Sequence, residues 1–201
     1  MPWLLSYVEY EITQLNNIFF CSDNHYGHKN IILYSQRPFS DVEEMNETLI
    51  ENHNKTVKPN DICYHLGDFS FMQEKETKTI LRRLNGTNHL IYGNHDKMIM
   101  KNPNSFIGQQ LFKSIKHYDL IKVNGQKIVL FHFGCRVWDA SHKGSFMLYG
   151  HSHGSLPPFG KSVDVGFDAK FITPEYRPVS LDEVEKFMKN QPFEKVDHHD
   201  E

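Results

Sequence analysis

Residues 17–28 read NIFFCSDNHYGH, an apolar run that gives way directly to a polar one. The apolar part, residues 17–22, predicts a short buried strand, because a brief continuous apolar run between polar residues is typical of a strand covered on both faces. Asp23 and His25 follow this strand at once. The strand is therefore predicted to end where side chains able to bind metal begin.

The same succession occurs at four later points in the chain. Short apolar segments end in or are followed by further polar clusters, which are Gly67-Asp68, Gly93-Asn94-His95-Asp96, His132 and Gly150-His151-Ser152-His153. Each cluster alone has a plain structural explanation, such as a core histidine for His132. All five in this order indicate one site, because ligands of open α/β sheets bind beyond the carboxyl ends of strands.

The donor atoms in these clusters favour a pair of transition-metal ions. Imidazole mixed with carboxylate and amide oxygen suits manganese, iron, zinc or nickel and excludes calcium, which prefers oxygen alone. The set exceeds what one tetrahedral ion takes, so two ions sharing a carboxylate fit better. Such pairs lie ~3.5–4 Å apart and generate a hydroxide nucleophile that bridges them. The seven predicted ligands are Asp23, His25, Asp68, Asn94, His132, His151 and His153.

Composition narrows the class of protein. The net charge of −3 does not favour a protein that grips nucleic acid through its phosphates. No apolar run approaches the ~18 residues of a membrane span, so we expect a cytoplasmic protein without membrane contact. The three cysteines contain no Cys-x-x-Cys pair and are expected to be reduced thiols. Oligomeric state is left open.

The order of elements predicts an α/β fold with one mixed sheet or two sheets. Helices are expected at 29–35, from an N-cap at Ser40 to about 57, at 73–84, and at 181–189 after an N-cap at Ser180. A single strand over 113–123 is expected to pair with 127–133 through the turn Asn124-Gly125. The domain is predicted to span 17–190, preceded by an extension or edge strand (1–16) and followed by a flexible tail (191–201).

The five clusters together resemble the signature of the calcineurin-like metallophosphoesterases, over residues 17–190. The segments HKNIILYSQRPFS and YHLGDFSF further resemble small bacterial and bacteriophage phosphoesterases of that superfamily. Phe131 departs from its commonest pattern, in which serine or threonine precedes the histidine. The resemblance implies a four-layer α/β/β/α sandwich of two mixed sheets, with the site at the strand ends.

The resemblance also implies individual roles. One ion would be bound by Asp23, His25, Asp68 and His153, and the other by Asp68, Asn94, His132 and His151, so Asp68 would bridge them. His95 would contact the substrate phosphate and protonate the leaving oxygen, and Asp96 would orient His95. Manganese is the expected metal, with iron, zinc and nickel as alternatives.

The substrate is less defined than the reaction. We expect hydrolysis of a phosphodiester or phosphomonoester in a small molecule or nucleotide, with Asn94, Arg136 and His28 as substrate-binding candidates. A nuclease acting on DNA or RNA ends is an alternative, although nucleic acid is not favoured. A metal-binding regulatory protein without catalysis is another, against which the intact ligand set and His95 argue.

Overall fold

The computed structural model describes residues 17–172 and 175–194. Over these ranges the chain forms two mixed sheets with helices packed on them, which confirms the predicted fold class. The predicted extension 1–16 and residues 195–201 of the predicted tail lie outside the described residues. The strands are β1 (Ile18–Cys21), β2 (Ile62–His65), β3 (Thr87–Ile91), β4 (Ser114–Lys116), β5 (Tyr118–Val123), β6 (Gln126–Phe131), β7 (Phe146–Tyr149), β8 (Ser162–Asp164) and β9 (Val179–Ser180).

The first sheet has the strand order β4-β3-β2-β1-β9. Its strands β1 to β4 are parallel and β9 is antiparallel to β1. The register pairs Cys21 with His65 and His65 with Leu90, so β1, β2 and β3 end level with one another. The residues that follow these three strands therefore meet at one edge of the sheet.

The second sheet has the order β5-β6-β7-β8. Strands β5 and β6 form an antiparallel hairpin, and β6, β7 and β8 run parallel. The hairpin turns at Asn124 and Gly125, whose φ angles of 49° and 83° are those of a type I′ turn, as the dipeptide predicts. The carboxyl ends of β6 and β7 thus lie side by side.

The two sheets pack face to face through a dry apolar layer. Phe20, Leu66 and Ile91 from the first sheet share this layer with Leu130 and other fully buried residues of the second sheet. Burial of such side chains is worth about 25 cal/mol per Å² of apolar surface and provides the main driving force for joining the sheets. The joined sheets bring both sets of strand ends together.

Helices cover the outer face of the first sheet. They are α1 (Lys29–Tyr34), α2 (Val42–Thr56), α3 (Glu74–Leu81), α4 (Lys97–Lys101) and α5 (Pro103–Ile107), while α6 (Leu181–Lys189) packs into the layer between the sheets. The outer face of the second sheet presents Val129, Met147 and Tyr149 to Cys135 and Trp138 of the segment after β6. That segment, with a 3-10 turn at Ser141–Lys143, forms the layer on this side.

Two local predictions are wrong. Residues 113–123 are two strands, because β4 pairs with β3 in the first sheet whereas β5 pairs with β6 in the second. The chain changes sheets at His117 without a glycine or proline to mark the break. The N-cap of α2 is Asp41, whose side chain accepts from the Glu44 amide, and Ser40 instead bonds to the Glu44 carboxylate.

No helix within the described ranges is both long enough and apolar enough to cross a bilayer.

The last helix begins with a complete capping box, as predicted for Ser180. The Ser180 hydroxyl accepts from the Glu183 amide, and the Glu183 carboxylate accepts from the Ser180 amide. We expect Ser180→Ala to lower the free energy of unfolding by about 1 kcal/mol, because it removes one cap of a helix that packs in the core. Urea denaturation measures this. Ser180→Asp retains a capping oxygen and should stay near wild type; equal stability of all three proteins would contradict the role.

Candidate metal centre

The five predicted clusters occupy one edge of the paired sheets. Asp23 follows β1, Asp68 follows β2 and Asn94 follows β3, whereas His132 follows β6 and His151 follows β7. The bridge between Ser22 and Gly166 further ties the β1 end to the second sheet. Side chains from both sheets therefore face a common site, as the sequence predicts.

The first group of donors consists of Asp23, His25 and His153, whose ligand atoms all lie within 4.8 Å of one another. Asp23 Oδ1 lies 3.8 Å from His25 Nε2 and 3.8 Å from His153 Nε2. Asp23 and His25 are buried, whereas the side chain of His153 is 26% exposed. The group is thus open to solvent on the His153 side.

The second group consists of Asp68, His132 and His151, again within 4.8 Å of one another. His132 Nε2 lies 3.6 Å from Asp68 Oδ2 and 3.1 Å from Asn94 Oδ1. His151 is exposed at the surface of the site. Asn94 therefore adds an amide oxygen to this group.

Asp68 lies between the two groups. Its Oδ2 atom is 4.0 Å from His25 Nε2 in the first group and 3.6 Å from His132 Nε2 in the second. Its other oxygen, Oδ1, accepts a hydrogen bond of 2.8 Å from the His95 amide, which fixes the carboxylate. One oxygen of Asp68 is therefore held facing both groups.

These donors fit divalent metal ions. Two ligand atoms that each lie ~2.1 Å from one ion are at most ~4.2 Å apart. The carboxylate oxygens and imidazole Nε2 atoms of the site are 3.6–4.0 Å apart, so they suit a shared ion. Asp23 Oδ1 and His25 Nε2 are buried and have no hydrogen-bond partner among the described residues. Buried polar atoms without partners are costly, and a cation between them would satisfy both.

Three of the four imidazoles are held through Nδ1, which leaves Nε2 to face the carboxylates. Fixing one ring nitrogen in this way sets the tautomer and the ring orientation of a metal ligand. The partners of Nδ1 are His28 for His25 (3.2 Å), the Leu66 carbonyl oxygen for His132 (2.7 Å) and Asp168 for His153 (2.7 Å).

Backbone strain is concentrated in the same residues. Five of the seven predicted ligands adopt the left-handed region, with φ of 55° for Asp23, 56° for His25, 52° for Asp68, 66° for His151 and 48° for His153. Such residues cost about 1–3 kcal/mol each and persist where the surrounding structure imposes them, commonly at functional sites. The surrounding structure therefore holds these side chains in place at the cost of an unfavourable backbone conformation.

Glycines allow the strand-end turns to approach closely. A Cβ atom on Gly93 would lie 2.2 Å from Asp68 Oδ1, and one on Gly150 would lie 1.9 Å from Ser22 Oγ and 2.5 Å from Asp23 Oδ2. No side chain fits at either position. The glycines of the predicted clusters are therefore required by packing against the carboxylates.

At three of the proposed ligands, His25, His151 and Asp23, the electrostatics favour the protonation states that bind metal. Burial lowers the pKa of His25, and burial together with the nearby His132 lowers the pKa of His151, so both imidazoles are neutral at pH 7. Burial acts to raise the pKa of Asp23, but the neighbouring histidines outweigh it and lower this pKa to about 2. Neutral imidazole and ionised carboxylate are the forms that bind metal.

Two residues that support the site were not predicted. Arg37 is buried, and its guanidinium donates to both oxygens of Asp168 (2.9 and 2.8 Å) and to the backbone carbonyls of Asp23 (2.7 Å) and Asn24 (3.0 Å). The same Asp168 accepts from His153. Arg37 and Asp168 are 131 positions apart, and no local pattern pairs them.

The hydrogen bonds of Asp96 in the described part of the chain go to the backbone, and its predicted role of orienting His95 stays a prediction. Its buried carboxylate accepts from the backbone amides of Gly93 (2.8 Å), Asp68 (2.9 Å) and Phe69 (2.9 Å), and it holds these turns. Burial and the Asp68 charge raise the pKa of Asp96 to about 6 despite these bonds. The His95 ring is exposed beside the site, 6.2 Å from the His25 ring between centroids.

The two weaker substrate-binding candidates lie in different settings. His28 stacks on Phe71 at 3.9 Å and 11° and bonds to His25, so it touches a predicted ligand. The Arg136 guanidinium lies 3.8 Å over the Phe159 ring. Contact of Arg136 with substrate stays a prediction.

A third donor group, Cys21, Cys63 and His65, is fully buried on the helix-covered face of the first sheet. Cys21 Sγ and His65 Nδ1 are 3.2 Å apart and share a hydrogen bond, and Asn88 Oδ1 bonds to His65 Nε2 at 2.9 Å. These contacts pair the polar atoms of His65 inside the core. Both cysteines are free thiols, as predicted.

Two mixed sheets that bring strand-end donor clusters together are the arrangement that the resemblance to the calcineurin-like metallophosphoesterases implies. No family model matches the chain. It is 35% identical to the uncharacterised protein MJ1445 of Methanocaldococcus jannaschii over 184 residues, covering 87% of this chain and 93% of that protein, and it belongs to the same family.

The chain was also compared with solved structures. A protein of unknown function from Aquifex aeolicus, AQ665, superposes with a TM-score of 0.64 at 25% identity, covering 85% of this chain and 98% of its own. A novel archaeal phosphodiesterase gives a TM-score of 0.49 at 18% identity, covering 82% and 99%.

We expect Asp168→Asn to weaken Mn²⁺ binding at the group containing His153 by about 10–100-fold, because the charge that orients His153 is lost. Titration of the metal-free protein, followed by calorimetry, measures the affinity, and thermal unfolding checks that the buried Arg37 still permits folding. Asp139→Asn, which changes a half-exposed aspartate paired with Lys127, is the control. Unchanged affinity in a folded Asp168→Asn protein would mean that this contact does not support metal binding.

Proposed function

We propose that the chain is a metal-dependent hydrolase of phosphate esters that uses two divalent ions bridged by Asp68. The observation that carries this proposal is the position of Asp68 Oδ2, 4.0 Å from His25 Nε2 and 3.6 Å from His132 Nε2. An oxygen that faces one donor from each group is suited to join two ions. Manganese is the proposed metal, with iron, zinc or nickel as alternatives.

The proposed ligands divide as the two groups do. One ion would be held by Asp23, His25, Asp68 and His153, and the other by Asp68, Asn94, His132 and His151. A pair of divalent ions supplies Lewis acidity toward phosphate oxygens and makes water a nucleophile at neutral pH.

The protein itself would supply orientation and a proton. His95 is anchored by its amide to Asp68, while its ring is exposed next to the ligands, within reach of a phosphate ester bound there. We propose that its imidazolium donates a proton to the leaving oxygen. Arg37 and Asp168 would hold the Asp23 turn and His153 in place throughout the reaction.

A nuclease acting on DNA or RNA ends is the second candidate. The exposed side of the site, at His151 and His95, leaves room for an extended ligand. The net charge of −3 argues against extensive phosphate binding along a nucleic-acid strand.

Hydrolysis of bis-p-nitrophenyl phosphate and p-nitrophenyl phosphate by protein loaded with Mn²⁺ tests the proposed phosphoesterase activity. A failure to turn over either ester with manganese, iron, zinc and nickel alike would refute it.

Asp68→Ala should reduce metal content from two ions per chain to less than one, because both groups lose a shared ligand. His151→Ala removes one exposed ligand from the second group only and should leave one ion bound. Metal analysis after dialysis measures both. A single ion retained at full occupancy in Asp68→Ala would contradict the bridging role.

His95→Ala should keep two ions per chain and lower kcat by roughly 10²–10⁴, the usual contribution of a general acid. The loss should be smaller for p-nitrophenyl esters than for alkyl esters, because a good leaving group needs little protonation. Steady-state kinetics with both ester types measures this difference. An equal loss for both types would indicate that His95 binds substrate without donating a proton.

A further inference from the structure

A cleft of about 450 Å³ opens directly beside His95. Its walls come from the turn after β2 and from α4. None of the proposed metal ligands lines it. The volume is that of a pocket for a small molecule, of the size of a mononucleotide.

The end of the cleft nearest the metal centre is aromatic and apolar. Phe71 is 37% exposed, and its ring lies 4.9 Å from the His95 ring and 5.0 Å from the His25 ring. Met72 and Met98, both half-buried, also line the cleft. A planar ring adjoining the scissile phosphate would find flat and polarisable contacts here.

The α4 wall of the cleft carries two cationic side chains. Lys97 and Lys101 are four residues apart on α4, which places them on one face of the helix, and both are exposed. Neither has an ion-pair partner in the described part of the chain. Glu74 also lines the cleft, but its carboxylate accepts from Lys78 and Ser105, so its charge is already offset.

We propose that this cleft binds the nucleoside part of a nucleotide substrate, with a second phosphate group of that substrate on Lys97 and Lys101. This proposal rests on the proposed function, since it takes the scissile phosphate to lie at the metal centre. Ammonium groups bind phosphate as point charges, and the apolar end suits a base or sugar. The chemical class is a nucleoside that carries two phosphate groups, one of which is the scissile ester at the metal centre.

Three p-nitrophenyl esters with the same leaving group test the assignment by turnover. They are bis-p-nitrophenyl phosphate, thymidine 5′-(p-nitrophenyl phosphate), and the latter compound with an added 3′-phosphate. We expect the 3′-phosphate to lower KM by about tenfold in the wild type, the scale of two exposed ion pairs. Lys97→Glu/Lys101→Glu should abolish or reverse this preference. Lys186→Glu/Lys189→Glu, on the distant helix α6, should keep it.

A binding measurement separates this proposal from the proposed function. Calorimetry with thymidine 3′,5′-diphosphate and with thymidine 5′-phosphate needs no turnover. Tighter binding of the diphosphate, lost in Lys97→Glu/Lys101→Glu and kept in the α6 variant, supports the cleft even where no ester is hydrolysed. Equal binding of both nucleotides by the wild type, or a preference that survives the lysine reversal, would overturn the proposal.

Discussion

Carboxylates and imidazoles from both sheets converge within about 4 Å of one another, an arrangement that a cation bound among them would stabilise. Asp23 Oδ1 and His25 Nε2 are buried without partners, and both residues adopt a left-handed backbone. A metal-free site therefore carries both a desolvation cost and a conformational cost. Binding of metal would offset the first, while the packed sheets sustain the second.

The buried Arg37 shows how the fold sustains this strain next to a cationic site. Its guanidinium binds the backbone carbonyls of Asp23 and Asn24, so it fixes the β1 turn through the main chain rather than through a ligand. Asp168 neutralises it in a two-point contact. The same carboxylate orients His153, so one ion pair links two strand ends that belong to different sheets.

The sequence predicted the strand ends well because their signal is local. An apolar run followed at once by Asp, His or Gly marks both the end of a strand and the donor that follows it. Long-range contacts leave no such mark: the Arg37–Asp168 pair, the binding of backbone amides by Asp96 and the change of sheet at His117 depend on tertiary packing. Sequence alone also does not decide which of two adjacent residues with similar capping ability, Ser40 or Asp41, is the N-cap of α2.

Under the proposed function, reaction type and substrate choice would depend on different parts of the chain. The proposed ligands lie on rigid strand ends, where glycine and strained backbone leave little freedom for variation. The cleft beside His95 is formed by a turn and by the short helix α4, whose two lysines are exposed and form no ion pair in the described part of the chain. Substitutions on α4 would alter which ester is bound and leave the metal ligands in place, because no residue of α4 belongs to either donor group. If both proposals hold, selectivity can change through α4 while the metal centre is retained.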